Sequence, residues 1–340
     1  MTSFKLFTLF LVSTFFLGCG PLEDFRQFTE RDIQAPVFIS MGTRSPDTLE
    51  LQFSEEISQK IDYLYFNPNL DISALDIQNT RLNIQFTNSL EPGYIYKIEI
   101  SVSDIAGNSL TVLSNFYGYN SNLPDITINE FTCQGSSTNP DKVELKVLSD
   151  GNTAGMCIYE GIDTIWKQKK VLPPIDVQKD EYIIIHFKPQ GIAEEIDETV
   201  SKDTSGGLNS NSNAWDIWVE GGSGLSGNNG TITVFSNPMG ILIDGLIYSN
   251  RTSASDDKYR GFGSTSTMNK ADRLVELEGW AANGDLISPE DAINPEDSTA
   301  TRSICRNSVF SDTNKAVDWH IVPTSTSSFG EINSNEVYVP

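Results

Sequence analysis

From residue 35 onward the chain is cut into short runs of alternating apolar and polar residues, repeating at ~10-residue spacing. That pattern admits few folds other than an antiparallel β architecture. The runs "PVFISM", "LELQFS", "RLNIQFT", "YIYKIEISV" and "LTVLSNFYGY" all alternate, so each strand turns one set of side chains to a core and the other away from it. Leu49, Leu51 and Phe53 share a face, as do Leu82, Ile84 and Phe86, and then Ile98, Ile100 and Val102. Turn signals at Pro92-Gly93 and Ala106-Gly107-Asn108 separate them. No amphipathic helix of more than a turn or two is expected. The reading is a β-sandwich over 35–119.

"NSNLPDI" at 120–126 reads as a joint, and a second all-β pattern follows over 124–335. Ile183, Ile185 and Phe187 share a face, Ile232 and Val234 another, and Ile241 and Ile243 a third. Two stretches, 201–230 and 251–300, are rich in Ser, Gly, Asn and Asp and read as polar insertions. Long loops on a rigid sandwich are where binding surfaces concentrate. Within the first stretch, Trp215 and Trp218 stand three apart in "NAWDIWVEGG". In a strand they face opposite sides, so one is expected in the core and one exposed, available to stack on a sugar ring or a partner's aromatic side chain.

Several motifs resemble known families. "LEPGYIYKIEISVSDIAGNSL" resembles the bacterial Ig-like domains of surface proteins, of the SbsA type. A Pro-Gly turn leads into a long strand and then an Asp-x-x-Gly-Asn hairpin, here Asp104, Gly107 and Asn108. Asp104 and Asn108 suggest a cation site, but Asn-bearing turns cap hairpins without ions, and the turn reading is preferred. The segment "ITINEF", the Val143-Glu144-Leu145 strand, "VQKDEYIIIHF", "GTITVFSNPMGILIDGLIYSN", "TATRSICR" and "AVDWHIVPTSTSSFGEIN" resemble a lamin-tail domain. That resemblance implies that Glu130 and Glu144 are hydrogen-bonded structural residues.

The N-terminus carries a third resemblance. Lys5 precedes an apolar run from Leu6 to Leu17 that is too short to span a bilayer comfortably. Phe16-Leu17-Gly18-Cys19 resembles a bacterial lipobox of spirochaete type. It implies a signal peptide at 1–18, diacylglycerol on the Cys19 thiol, a linker over 19–34, and a lipid bilayer as partner through two or three acyl chains.

Chemistry is sparse. The net charge is −23, with 23 basic against 46 acidic residues among 340, and the basic cluster Lys167-Gln168-Lys169-Lys170 stands alone. A nucleic-acid partner is therefore not expected. No G-x-S-x-G elbow, zincin motif or phosphate-cradling loop occurs. Two His, and Cys without C-x-x-C spacing, make a zinc site improbable; no metal and no cofactor are expected. His186, on the face of Tyr182 and Ile184, reads as packed, and His320 as a chance neighbour of Asp318. The acidic run Glu194, Glu195, Asp197 and Glu198 reads as a solvated face, with weak divalent-cation binding as the rival reading. With Cys19 lipidated, Cys133, Cys157 and Cys305 remain for one disulfide in an oxidising compartment. Cys133–Cys157 is favoured, with Cys157–Cys305 as the alternative.

The combined expectation is an all-β chain of two β-sandwich (Ig-like) domains in tandem after a lipoprotein signal peptide. It is expected to be lipid-anchored in a bacterial cell envelope, on a periplasmic or surface face, and to serve non-enzymatic adhesion or assembly with a protein or glycan partner. The alternatives are an extracytoplasmic hydrolase of carbohydrate or phosphate esters, with acids at 194–198 or in 251–300, and a purely structural envelope protein.

Overall fold

The structure, a computed structural model, describes residues 32–309 and 312–340. The expected signal peptide, Cys19 and most of the linker lie outside the described residues. The chain is nearly all β, in several antiparallel sheets consistent with tandem β-sandwiches. No helix among the described residues is long and apolar enough to cross a membrane.

The first seven strands are β1 (Phe38–Ser45), β2 (Thr48–Phe53), β3 (Ile57–Asn67), β4 (Ile72–Gln78), β5 (Arg81–Phe86), β6 (Ile95–Asp104) and β7 (Ser109–Tyr117). They form a sheet in the order β1-β2-β5-β4, facing a sheet in the order β3-β6-β7. The alternation works as read. Leu49, Leu51, Phe53, Leu82, Ile84, Phe86, Ile98, Ile100 and Val102 are buried in one hydrophobic cluster. Phe66, Phe86, Phe116 and Tyr96 add ring contacts with centroids 5.3–6.4 Å apart. Two strands escaped the sequence reading for a physical reason. β3 carries two register shifts against β6, which break its alternation, and β4 is a largely exposed edge strand. The Asp104 turn is hydrogen-bonded within itself, and Asn108 also donates to the Asp32 carbonyl at 3.2 Å. The Asn108 N–H and side-chain amide donate to the two Asp104 carboxylate oxygens at 2.8 and 2.7 Å.

The second region contains β8 (Ile126–Thr132), β9 (Lys142–Val147), β10 (Gly151–Asn152), β11 (Cys157–Gly161), β12 (Trp166–Val171), β13 (Asp176–Val177), β14 (Tyr182–His186), β15 (Trp215–Trp218), β16 (Asn229–Phe235) and β17 (Leu242–Ser249). Helix α1 (Thr265–Glu276), β18 (Ile304–Arg306) and β19 (Trp319–Ile321) complete it. A six-stranded sheet, β15-β14-β9-β8-β18-β19, faces a four-stranded sheet, β12-β11-β16-β17, and β10 pairs with β13. All neighbours in the large sheet are antiparallel except β14 and β15, which run parallel. Between the two sheets lies a core that includes Ile128, Phe131, Leu145, Ile183, Ile185, Ile232 and Val234.

Three expectations are corrected here. Ile241 does not share a buried face with Ile243, because it precedes β17 and is largely exposed. The 251–300 stretch is not all loop. Its α1 is capped by Ser264, whose Oγ accepts from the Thr267 N–H at 3.1 Å, and it buries Ala271 and Leu274. Gly245 in β17 makes room for it, since a Cβ there would lie 2.7 Å from the Leu274 side chain. The 201–230 stretch likewise contributes β15 and the start of β16.

Candidate functional site

The outer face of the six-stranded sheet gathers the chain's chemically capable side chains. Strand register places them in two adjacent rows. One row runs Asp216, Ile184, Glu144, Glu130, Cys305, His320 across all six strands, and the next runs Trp218, His186, Lys142, Thr132. A bulge in β8 between Ile128 and Glu130 makes this possible. The extra residue, Asn129, lets Ile128 and Phe131 both enter the core while Asn129 and Glu130 turn outward.

This face is not open to solvent. Glu130, Glu144, His186, Asp216 and Cys305 are buried, because two covers lie over the sheet. One cover is the C-terminal segment. Ser303 and Ser328 hydroxyls donate to Glu130, as does the Ser328 N–H at 3.0 Å, and the Gly330 N–H donates to Glu144. The Asn129 side-chain amide donates to Glu144 and to Asn333 Oδ1, each at 2.7 Å. Glu130 and Glu144 are thus hydrogen-bonded inside the fold. Burial pushes the Glu130 carboxyl above the usual range, opposed by its serine bonds. Burial also pushes Glu144 well above it, with the neighbouring Glu130 charge adding to the effect.

The other cover is the 190–214 loop, and here the acidic run departs in part from the expected solvated face: Glu194 is exposed, Glu195 and Asp197 are half-buried. Glu198 is buried, accepting from the Thr204, Ser205 and Asp216 N–H groups at 2.8, 3.0 and 2.9 Å. Glu195 accepts from the Gln190 and Gly191 N–H groups at 2.6 and 2.7 Å. Asp197 accepts from the Trp218 N–H at 2.8 Å and pairs with Lys170. These carboxylates accept from backbone N–H groups of the loop and of β15, and so pin the loop against the sheet.

Trp215 and Trp218 depart from expectation in the same way. They do face opposite sides of β15, but both are buried. Trp215 joins the core between the sheets. Trp218 stacks on His186, with centroids 3.8 Å apart and planes 10° apart, and its indole N–H donates to Ser205 Oγ at 2.9 Å. Neither ring is presented as an exposed platform. A cavity of about 560 Å³ beside Trp218 is bounded by Lys170, Ile192, Glu195 and Ile196 as well.

His186 Nε2 lies 2.7 Å from Asp216 Oδ1. Burial draws the imidazole below its ordinary pKa, with Asp216 opposing, and the other Asp216 oxygen accepts from the Asn211 N–H at 2.6 Å. His320 is also drawn down by burial. Its Nε2 sits 2.9 Å from the Ser334 carbonyl and 3.6 Å from Cys305 Sγ. A carbonyl only accepts, so this nitrogen carries the proton and cannot take one from the thiol.

The expected Cys133–Cys157 disulfide is not formed; Cys133, Cys157 and Cys305 are buried free thiols. Cys133 follows β8 in one sheet, Cys157 opens β11 in the facing sheet, and Cys305 points from the outer face. Burial pushes Cys133 and Cys157 up to about 12 and raises Cys305 as well, so none is held as a nucleophilic thiolate.

The sequence reading missed the pair Arg306–Asp244, which ties the two sheets together. Arg306 donates to the Ile128 carbonyl at 2.7 Å and to Asp244 at 3.2 and 3.3 Å, and it stacks on Trp319 at 4.6 Å. An Arg in a three-residue strand, "ICR", and an Asp in an apolar hairpin are the only signals it leaves in the sequence.

The family model TP_1001_2nd, a protein second domain, matches residues 124–321. Among solved structures, the chain is similar to the N-terminal part of the bacterial S-layer protein SbsC, with 15% identity and a TM-score of 0.25 over 44% of this chain. It spans 40% of that chain's length. It is also similar to L,D-transpeptidase 3 from Mycobacterium tuberculosis, with 8% identity and a TM-score of 0.17 over 45% of this chain and 82% of that one. At such TM-scores neither likeness bears on fold or activity. No curated protein matches.

Proposed function

The chain belongs to the TP_1001_2nd family, and from that premise we propose a non-enzymatic adhesion or assembly module tethered to a bacterial envelope. In this reading the lipobox-like Cys19 carries the anchor. The Ig-like sandwich over 35–119 is the spacer, and the lamin-tail-like sandwich over 124–335 presents the partner-facing loops to a protein or glycan. One observation supports it above the others. Buried carboxylates and the His186 imidazole of the second sandwich are engaged within its own fold, with His186 on Asp216, Glu130 on Ser303 and Ser328, and Glu198 on three backbone N–H groups. These groups are also buried beneath the loop and the C-terminal segment, which closes them to a substrate that would take or give protons.

The test has two arms. The full chain, expressed in a bacterium with radiolabelled palmitate, is expected to take up label and partition to membranes, and Cys19→Ser to lose both. The purified chain is expected to bind matrix proteins or arrayed glycans and to leave carbohydrate and phosphate-ester substrates intact. Metal-dependent turnover that disappears on substituting one carboxylate at 194–198 would replace this reading with a hydrolase.

A further inference from the structure

We propose that the rim of the six-stranded sheet holds a binding site for a small oxyanion group, built on Lys142 and Thr132. The two are cross-strand partners on β9 and β8, so both side chains leave the same face of the sheet. They line a cavity of about 230 Å³, which Asn139, Thr301, Ser325 and Phe329 help to close. That is room for an oxyanion and a short substituent.

Two independent features point to an anion. Thr132 is only 3% exposed, yet its hydroxyl meets no hydrogen-bonding partner among the described residues. A buried hydroxyl left in that state is costly; its oxygen is closed off from the cavity that Thr132 lines, and a small rotation of the side chain would bring it to a ligand acceptor there. Lys142 is the second feature. Its ammonium has one long contact, 3.4 Å to Asn209 Oδ1, and sits 4.4 Å from the Phe329 ring centroid. Among the described residues no carboxylate lies within ion-pair distance of it. Glu130, Glu144 and Asp216 are the acids near enough to act on it through space. All three are held elsewhere: Glu130 by Ser303 and Ser328, Glu144 by Asn129 and Gly330, Asp216 by His186 and Asn211. A partly buried ammonium without a contacting counter-charge is the group an oxyanion stabilises most. Ser325 and Asn139 add polar side chains at the mouth. The site borders the polar insertions, through Asn209 and Ala300, but it is built on the sheet and stands whether or not the chain is an adhesin.

The test uses the full chain and its thermal midpoint while inorganic phosphate replaces chloride at constant ionic strength, with acetate in a parallel series. The expected result is a saturable rise in Tm with one of the two, which identifies the group as tetrahedral or planar. That rise should be lost in Thr132→Val and in Lys142→Met. Thr132→Val removes an unpartnered hydroxyl at constant shape, so it should fold and be at least as stable as the native chain without added anion. No saturable rise with either anion, or an equal rise in both variants, would overturn the site.

Discussion

In β5 of the first sandwich, Leu82, Ile84 and Phe86 are buried, while Arg81 and Gln85 face water and Asn83 is only half-buried. In β8 of the second, the polar residues between the core positions, Thr127, Asn129, Glu130 and Thr132, are as buried as Ile128 and Phe131. The same alternation therefore builds two kinds of sheet. One has a wet outer face and needs nothing from it. The other carries a loop and a C-terminal segment over its outer face, so its polar groups depend on partners inside the fold, and the Thr132 hydroxyl stands out by meeting none among the described residues. Polar side chains on the first sandwich should tolerate change, whereas those on the second should act like core residues.

The largest contrast is expected between two arginines. Arg306→Leu leaves Asp244 buried without its counter-charge and should cost about 3–5 kcal/mol, unfolding the second sandwich first in a calorimetric scan. A loss below ~1 kcal/mol would break the comparison. Next comes Glu130→Ala, which strips Ser303 and Ser328 of their acceptor and should cost about 1–3 kcal/mol in denaturant titrations, with Glu130→Gln recovering part of it.

The pH dependence should sharpen the same contrast. His186 has its folded pKa below its unfolded value near 6.5. Its contribution is complete above that value and declines as pH falls toward the folded pKa, because the unfolded chain then binds the extra proton. Glu144 acts with the opposite sign. Its folded pKa is raised, so its contribution is complete below about pH 4.5 and is lost as pH rises through the folded value. Urea titrations from pH 5 to 8 should show the acid-side slope shrink in His186→Gln. The smallest effect is expected on the first sandwich. Arg44 pairs with Glu50 at 2.7 Å but is mostly exposed, and Arg44→Leu should change stability by about 0–1 kcal/mol.

The strands of the first sandwich were legible because burial there follows the period of two, and β3 and β4 were missed where bulges and edge exposure abolish it. In the second, Ile183, Ile185, Ile232 and Val234 were legible for the same reason. The outer face was not. A polar residue in a strand reads alike whether water or a distant segment covers it, and the segment over Glu130 is 198 residues away. Trp218 and Glu198 were misread on that account. Helix α1 was obscured by its Ser, Thr and Asn content, which hid Met268, Ala271, Leu274 and Val275 on one side. The tie between Arg306 and Asp244 spans 62 residues and has no local signature.

The measurement that bears most directly on the covered outer face is a thiol titration of the full chain carrying Cys19→Ser. Cys305 reports on that face, and Cys133 and Cys157 report on the core. The account predicts no rapidly reacting thiol in the native protein and three after denaturation without reductant. Prompt native reaction at Cys305 would show the outer face to be open, and a single thiol after denaturation would restore the disulfide; either would contradict the account.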